Sequence, residues 1–155
     1  MNQILCTHVV IRRLGLNRLD DLLALEESSF STDRISRRNL RNLLRSPSAC
    51  CLGAYQDGNL VGSMVILFRR NTRVARIYSI AVAPAARSMG IGRKMMLRAE
   101  REAKAHGCDR LRLEVRLDNT SAIRLYESLG FEDTQILPGY YEDGAVGMVY
   151  RKSLG

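Results

Sequence analysis

The chain has 155 residues, 46% hydrophobic and 26% charged, with a formal net charge of +8. This length buries the core of one domain without staples. No apolar run approaches the roughly 20 residues a membrane-spanning helix needs, so no such span is expected in this sequence.

The positive charge is almost wholly arginine, with Lys94, Lys104 and Lys152 the only lysines. Such a balance favours polyanionic partners, a nucleotide cofactor or RNA among them. The arginines are spread along the chain, without a block and without an aromatic-rich strand, which argues against direct nucleic-acid binding as the main function. Cys6, Cys50, Cys51 and Cys108 show neither a C-x-x-C pair nor metal-ligand spacing, and His8 and His106 lie far apart. Buried, reduced thiols and no metal site are expected. The N-terminus lacks a secretory pattern, so a cytoplasmic location is expected.

In chain order, residues 7–15 read as a first strand. Residues 16–30 carry apolar side chains at helical spacing, and residues 36–46 repeat that habit before Pro47 stops it. Two strands, 49–56 and 60–70, flank the hairpin signal Asp57-Gly58-Asn59. Cys50 and Cys51 then point to opposite faces. Residues 74–84 form a third strand, apolar on both sides around Ile80–Val82, which belongs in the middle of a sheet. A long helix is predicted from Ser88 to Ala105, ended by Gly107. Residues 109–117 alternate strictly, Leu111, Leu113, Val115 and Leu117 against Arg110, Arg112, Glu114 and Arg116. A helix over 120–130 follows, with Asn119 or Thr120 as its cap and Ala122, Leu125, Tyr126 and Leu129 on one stripe. Strands at 131–137 and 145–153 flank the turn-rich GYYEDG. No repeat or linker is visible. The pattern predicts a single α/β domain, a mixed sheet with helices on both faces.

Between the central strand and the long helix lies Arg87-x-x-Gly90-x-Gly92. It is neither a Walker loop, lacking G-K-[ST], nor a dinucleotide-binding fingerprint, lacking the third glycine. Small residues at a helix start let backbone N–H groups approach an anion, and the helix dipole favours it. Arg87 and Arg93 add charge to that mouth. The plainer alternative is a tight turn and nothing more.

This loop after IAVAP, followed by LEVRLDNTSAIRLYESLGF, resembles the GNAT acetyltransferases, and within them the RimI-type enzymes that acetylate the N-terminal alanine of a ribosomal protein. The resemblance is strongest over residues 78–148. It implies a GNAT fold, a mostly antiparallel mixed sheet with a splayed parallel pair. It implies acetyl-CoA, its arm paired with the backbone of Ile80, Ala81 and Val82 and its pyrophosphate on Ser88, Met89, Gly90, Ile91, Gly92 and Arg93 beside Arg87. Asn119 matches a cofactor-contacting asparagine. Glu114 matches the family's base and Tyr126 its acid, the latter also against the cofactor. Tyr140 and Tyr141 match a loop that closes on the acceptor. The family's Phe-Pro-Trp motif reads here Ser29-Phe30-Ser31-Thr32-Asp33, leaving Phe30 as the acceptor-side residue.

The chemistry is coherent. A protein α-amino group, with pKa near ~8, is partly neutral at pH 7, whereas a lysine near ~10.4 is almost wholly charged. A carboxylate is a weak base, and arginines surround Glu114 in sequence, so proton transfer through a water is expected. The tyrosine hydroxyl, expected near a helix start, serves the departing thiolate, and a backbone N–H near Val82 polarises the carbonyl. Without the resemblance, Glu114 reads as a cross-strand partner for arginines and Tyr126 as core. Two further functions stand beside N-terminal acetylation: acetylation of a lysine or small amine, and a non-catalytic CoA-binding module with a ribosomal or RNA partner.

Overall fold

The computed structural model describes residues 8–155. Cys6 and Thr7 therefore lie outside the described residues. Strands β1 (Val9–Arg13), β2 (Ala49–Gln56), β3 (Asn59–Leu67), β4 (Val74–Val82), β5 (Arg110–Arg116), β6 (Glu132–Leu137) and β7 (Gly147–Ser153) form one seven-stranded sheet in the order β1-β2-β3-β4-β5-β7-β6. Helices α1 (Leu19–Ser29), α2 (Arg37–Arg45), α3 (Ile91–Ala105) and α4 (Thr120–Ser128) complete the fold. The sheet is mixed, as expected, and β4 is its middle strand.

Local chemistry explains the N-terminal meander. Asp57 and Gly58 both take positive φ, 52° and 81°, the two-residue turn whose twist suits a hairpin. Side-chain alternation then assigns two cores. Cys50, Leu52 and Ala54 face one core with α3, whereas Cys51 and Val65 face another with Leu19, Leu22 and Leu40 from α1 and α2. The adjacent cysteines thus point to opposite faces, and burial pushes both thiols up to about 11. Cys108 is only half-buried, because it follows α3 where the chain comes to the surface.

Helix α3 buries Ile91, Met95, Met96, Ala99 and Ala103 against the sheet. Its approach depends on Gly62 of β3, where a Cβ would meet Ile91 Cγ2 and Met95 Cε at 3.1 Å each. The predicted start at Ser88 is three residues early. Ser88 and Gly90 take φ of 68° and 78°, which keeps the loop out of the helix until Ile91. The predicted helix from residue 16 likewise begins as a single 3-10 turn, Leu16–Arg18, before α1. Of the remaining predicted elements, β2 has the predicted bounds, β3 begins one residue earlier and ends three earlier, and the others are shorter by one or two residues at one or both ends. No described helix is long and apolar enough to cross a membrane.

Every neighbouring pair of strands is antiparallel except β4 and β5. That parallel pairing runs from Val74↔Arg110 to Ile77↔Leu113 and stops. The β3–β4 ladder is interrupted at the same level: Ile66 pairs with Ile77 and Val65 with Ser79, leaving Tyr78 as a bulge. A bulge bends and twists its strand. Past it, β4 continues along β3 to Val82, β5 continues along β7 to Arg116, and a gap opens between them.

Because Met95 is fully buried beneath the β2–β3 hairpin, Met95→Ala is expected to lower stability by about 2–5 kcal/mol, the usual cost of a core cavity. Equilibrium denaturation checks this, and a loss below about 1 kcal/mol would show that α3 is not packed as described.

Candidate active site

One bank of the gap is suited to an anion. Gly90 opens α3 in the left-handed conformation, no described side chain caps it, and its first turn carries no acid. The first intrahelical donor is Lys94 N, bonded to Gly90 O at 3.1 Å, so the N–H groups before it are free of helical partners. Those donors and the helix dipole attract negative charge. Gly92 lets this turn close on α4, since a Cβ there would meet Leu125 Cδ2 at 3.2 Å. Ile91 turns its side chain into the core and offers only its N–H, while Ser88, Met89 and Gly90 are exposed. Arg93 Nη2 donates to Ser128 Oγ at 2.6 Å and Arg87 Nε to Val82 O at 3.2 Å, so both guanidiniums flank this mouth.

Along the same bank, residues 79–82 of β4 pair with β3 on one side and have no strand partner on the other. Ala81 is buried, Ile80 and Val82 half-buried. A strand edge with unpaired backbone groups, running to an uncapped helix start flanked by two arginines, fits an extended amide-bearing arm that ends in a pyrophosphate. Those are the parts of acetyl-CoA.

The opposite bank carries the carboxylate. Alternation on β5 sends Leu113 and Val115 into the α3 core and Glu114 to the other face. Its side chain is only 6% exposed and lies between two arginines. Arg76 donates from Nε to Glu114 Oε1 at 3.0 Å, with its Nη2 2.9 Å from the same oxygen in an ion pair. Arg112 Nε lies 2.9 Å from Glu114 Oε2, yet its N–H is misdirected, and both atoms are buried without a hydrogen bond. Glu114 is therefore the arginine partner its sequence setting implied, and it also keeps one unsatisfied oxygen.

Tyr126 comes from the other face. It stands in the second half of α4, not near a helix start as expected, because the helix begins at Thr120 and the apolar stripe points into the core. Its ring is 4% exposed and packs against Phe131 and Tyr150. Burial, and secondarily the nearby Tyr141, pushes its hydroxyl well above the ordinary tyrosine value. Asn119 caps α4, its Oδ1 accepting from Ala122 N at 3.2 Å, which leaves its amide nitrogen for other partners.

Tyr140 and Tyr141 form an edge-to-face pair, centroids 5.0 Å apart, in the loop at residues 139–144. Tyr140 OH accepts from Arg76 Nη2 at 3.4 Å. Burial chiefly, then Tyr140 and Glu114, pushes Tyr141 up to about 12. Glu114 thus bears electrostatically on the Tyr141 hydroxyl, and Tyr141 on that of Tyr126. Gly147 makes room for both rings, each 3.2 Å from where a Cβ would stand. Phe30 is half-buried at the end of α1, its carbonyl held by Arg34. The link from its loop to the tyrosine loop is made three residues later, where Asp33 Oδ1 accepts from Glu142 N at 3.1 Å.

Sequence reading missed Arg76, Arg112 and Asp33 as parts of this site. The paired register Arg76↔Arg112 carries the signal for the first two, but it exists only once β4 and β5 are known to lie parallel. Elsewhere, a cavity of about 530 Å³ opens at the β1 edge, lined by His8, Arg12, Arg13, Arg18 and Tyr55, remote from the gap. Among the described residues, no group of three or more His, Cys, Asp or Glu is placed to hold a metal ion.

Known proteins resemble this chain in sequence and fold. Residues 16–131 match the acetyltransferase (GNAT) family. An uncharacterised N-acetyltransferase of Methanocaldococcus jannaschii is 32% identical over 147 residues, 93% of this chain and 92% of that protein. A putative ribosomal protein bS18-alanine N-acetyltransferase of Bacillus subtilis is 31% identical over 137 residues, 88% of this chain and 89% of that protein. The ribosomal-protein-S18-alanine N-acetyltransferase of Escherichia coli has the same fold, with a TM-score of 0.86 over 96% of this chain and 95% of that one at 24% identity. The mixed sheet with its one parallel pair is accordingly that of a GNAT enzyme, and the chain belongs to that family of acetyl-CoA-dependent acetyltransferases.

Proposed function

We propose that the chain acetylates the α-amino group of a polypeptide N-terminus, with a ribosomal protein beginning in alanine as the first candidate acceptor. The observation that carries this reading is the gap between β4 and β5. Glu114 lies on one sheet face and Tyr126 on the other, and an opening between the strands is what would let both reach one substrate; that Tyr141 bears electrostatically on Tyr126 and Glu114 on Tyr141 supports this. The relatives named for alanine acetylation support the acceptor class. In this reading the chain works as one domain in the cytoplasm.

Acetyl-CoA supplies the acetyl group as an activated thioester. The backbone of Ile80, Ala81 and Val82 orients its arm. Residues 88–93, with Arg87 and Arg93, hold the pyrophosphate, and the free amide of Asn119 is available to the same ligand. Glu114 Oε2, the oxygen without a hydrogen bond, takes the acceptor ammonium's proton through a water while Arg76 fixes Oε1. An amine that is already partly neutral asks least of a carboxylate base, which favours an α-amino group over lysine. The Tyr126 hydroxyl donates to the departing sulfur. Burial makes it a weaker acid than free tyrosine, so it holds its proton at every physiological pH.

Replacing Glu114 by Gln preserves an acceptor for Arg76 and removes the base. A fall in kcat/KM of about 100-fold or more is expected with a peptide starting in alanine, and a change of only a few-fold would remove Glu114 from the role. Tyr126→Phe keeps the ring packing and deletes a hydroxyl that makes no hydrogen bond among the described residues. It should reduce kcat about 100-fold without shifting Tm. Assaying CoA release over peptides with different first residues, free lysine and small amines tests the acceptor. Turnover restricted to small amines would overturn the N-terminal reading, and tight CoA binding without turnover would favour a binding module.

The pH dependence has a definite sign. A tyrosine whose pKa is raised stays protonated to higher pH, so kcat has no alkaline decline from Tyr126 up to about pH 10, the ordinary tyrosine value. A decline centred near about pH 8–9 that vanishes in Tyr126→Phe would contradict the assignment.

A further inference from the structure

We infer that Arg116 is the positioning residue that holds the loop at residues 139–144 over the acceptor site, in register with both Glu114 and the helix bearing Tyr126. The inference rests on the acetyl-transfer reading above and names a residue that controls how tightly the acceptor is held.

Arg116 lies two residues beyond Glu114 on the same face of β5. Its guanidinium is occupied on three sides. Nη1 and Nη2 grip Asp143 Oδ1 and Oδ2 at 3.2 and 2.7 Å, a fork that fixes direction as well as distance. Nε donates to Asp118 Oδ1 at 3.3 Å. Its Cζ lies over the Tyr141 ring, 5.2 Å from the centroid, a cation–π contact.

Each contact ties down a different part of the site. Asp143 organises the loop itself, since its Oδ1 also accepts from Ala145 N at 3.1 Å. Within that turn Gly144 N donates to Tyr141 O at 2.8 Å. Asp118 precedes Asn119, the cap of α4, and α4 carries Tyr126. Directly across from Arg116 on β7 is Gly147, the residue whose missing side chain admits Tyr140 and Tyr141. The far side of the loop is fastened to Asp33 through Glu142 N. One side chain therefore joins the base strand, the acid helix and the acceptor loop.

An isolated exposed ion pair contributes little, but a bidentate pair within a network is the exception. Lysine cannot replace it, because a single ammonium does not offer the fork.

The test uses the full chain with an alanine-starting peptide. In Arg116→Lys and in Asp143→Asn, acceptor KM should rise about tenfold while acetyl-CoA KM stays within about twofold and kcat within about threefold. The double exchange Arg116→Asp with Asp143→Arg should recover part of the lost acceptor affinity. Amide exchange at Gly144 and Ala145 should quicken in both single variants. An unchanged acceptor KM, or an acetyl-CoA KM that rises in step, would overturn the inference. If the unaltered protein turned over no amine at all, the transfer reading would fall. The clasp would then be decided by exchange alone, and equal protection of Gly144 and Ala145 in Arg116→Lys would refute it.

Discussion

The site depends on one short parallel pairing that ends early. β4 and β5 are held together from Val74↔Arg110 to Ile77↔Leu113 and then part. A parallel pair needs a long crossover, which here contains α3. The crossover brings the start of α3 to the carboxyl end of β4, the end at which α/β sheets take their ligands. The Tyr78 bulge turns β4 at the level where pairing ceases. Strand edge, helix start and gap are thus consequences of one topological choice, reinforced by Gly62, which admits the helix to the sheet.

Electrostatics places opposite demands on the two principal side chains. Glu114 is buried and charged, and a buried charge needs partners. Arg76 supplies one well-aligned hydrogen bond, whereas Arg112 supplies proximity without alignment. The carboxylate is held on one oxygen and left unsatisfied on the other. Deleting it outright would leave two arginines facing each other, so a loss of stability would be mixed with any loss of chemistry. Tyr126 is the reverse case, a polar hydroxyl at the end of an apolar ring whose packing against Phe131 and Tyr150 is independent of it. Both residues are structural in their surroundings, and the proposed chemistry asks only one atom of each.

What the sequence disclosed was local. Alternation on 110–116 assigned Glu114 to the face opposite Leu113 and Val115, and the Asp57-Gly58 hairpin and the opposed Cys50 and Cys51 were equally legible. The glycine loop marked a helix start, but not its residue: a serine at φ 68° has no strong sequence signature, and it set α3 three positions later than the pattern implied. The part of the site around the loop at residues 139–144 was least legible, because its bonds join distant residues. Arg76 to Glu114 spans 38 positions, Arg116 to Asp143 spans 27, and Asp33 to Glu142 spans 109. Phe30 was singled out there on a partial motif, while the bond between the two loops falls on Asp33.

The central claim is that acetyl-CoA lies in the gap between β4 and β5, on the start of α3. Amide hydrogen exchange with and without saturating CoA tests it most directly. The account predicts new protection confined to residues 79–82 of β4 and to residues 88–93. Protection instead around the basic cavity at the β1 edge, lined by His8, Arg12, Arg13 and Arg18, with residues 79–82 unaffected, would contradict it.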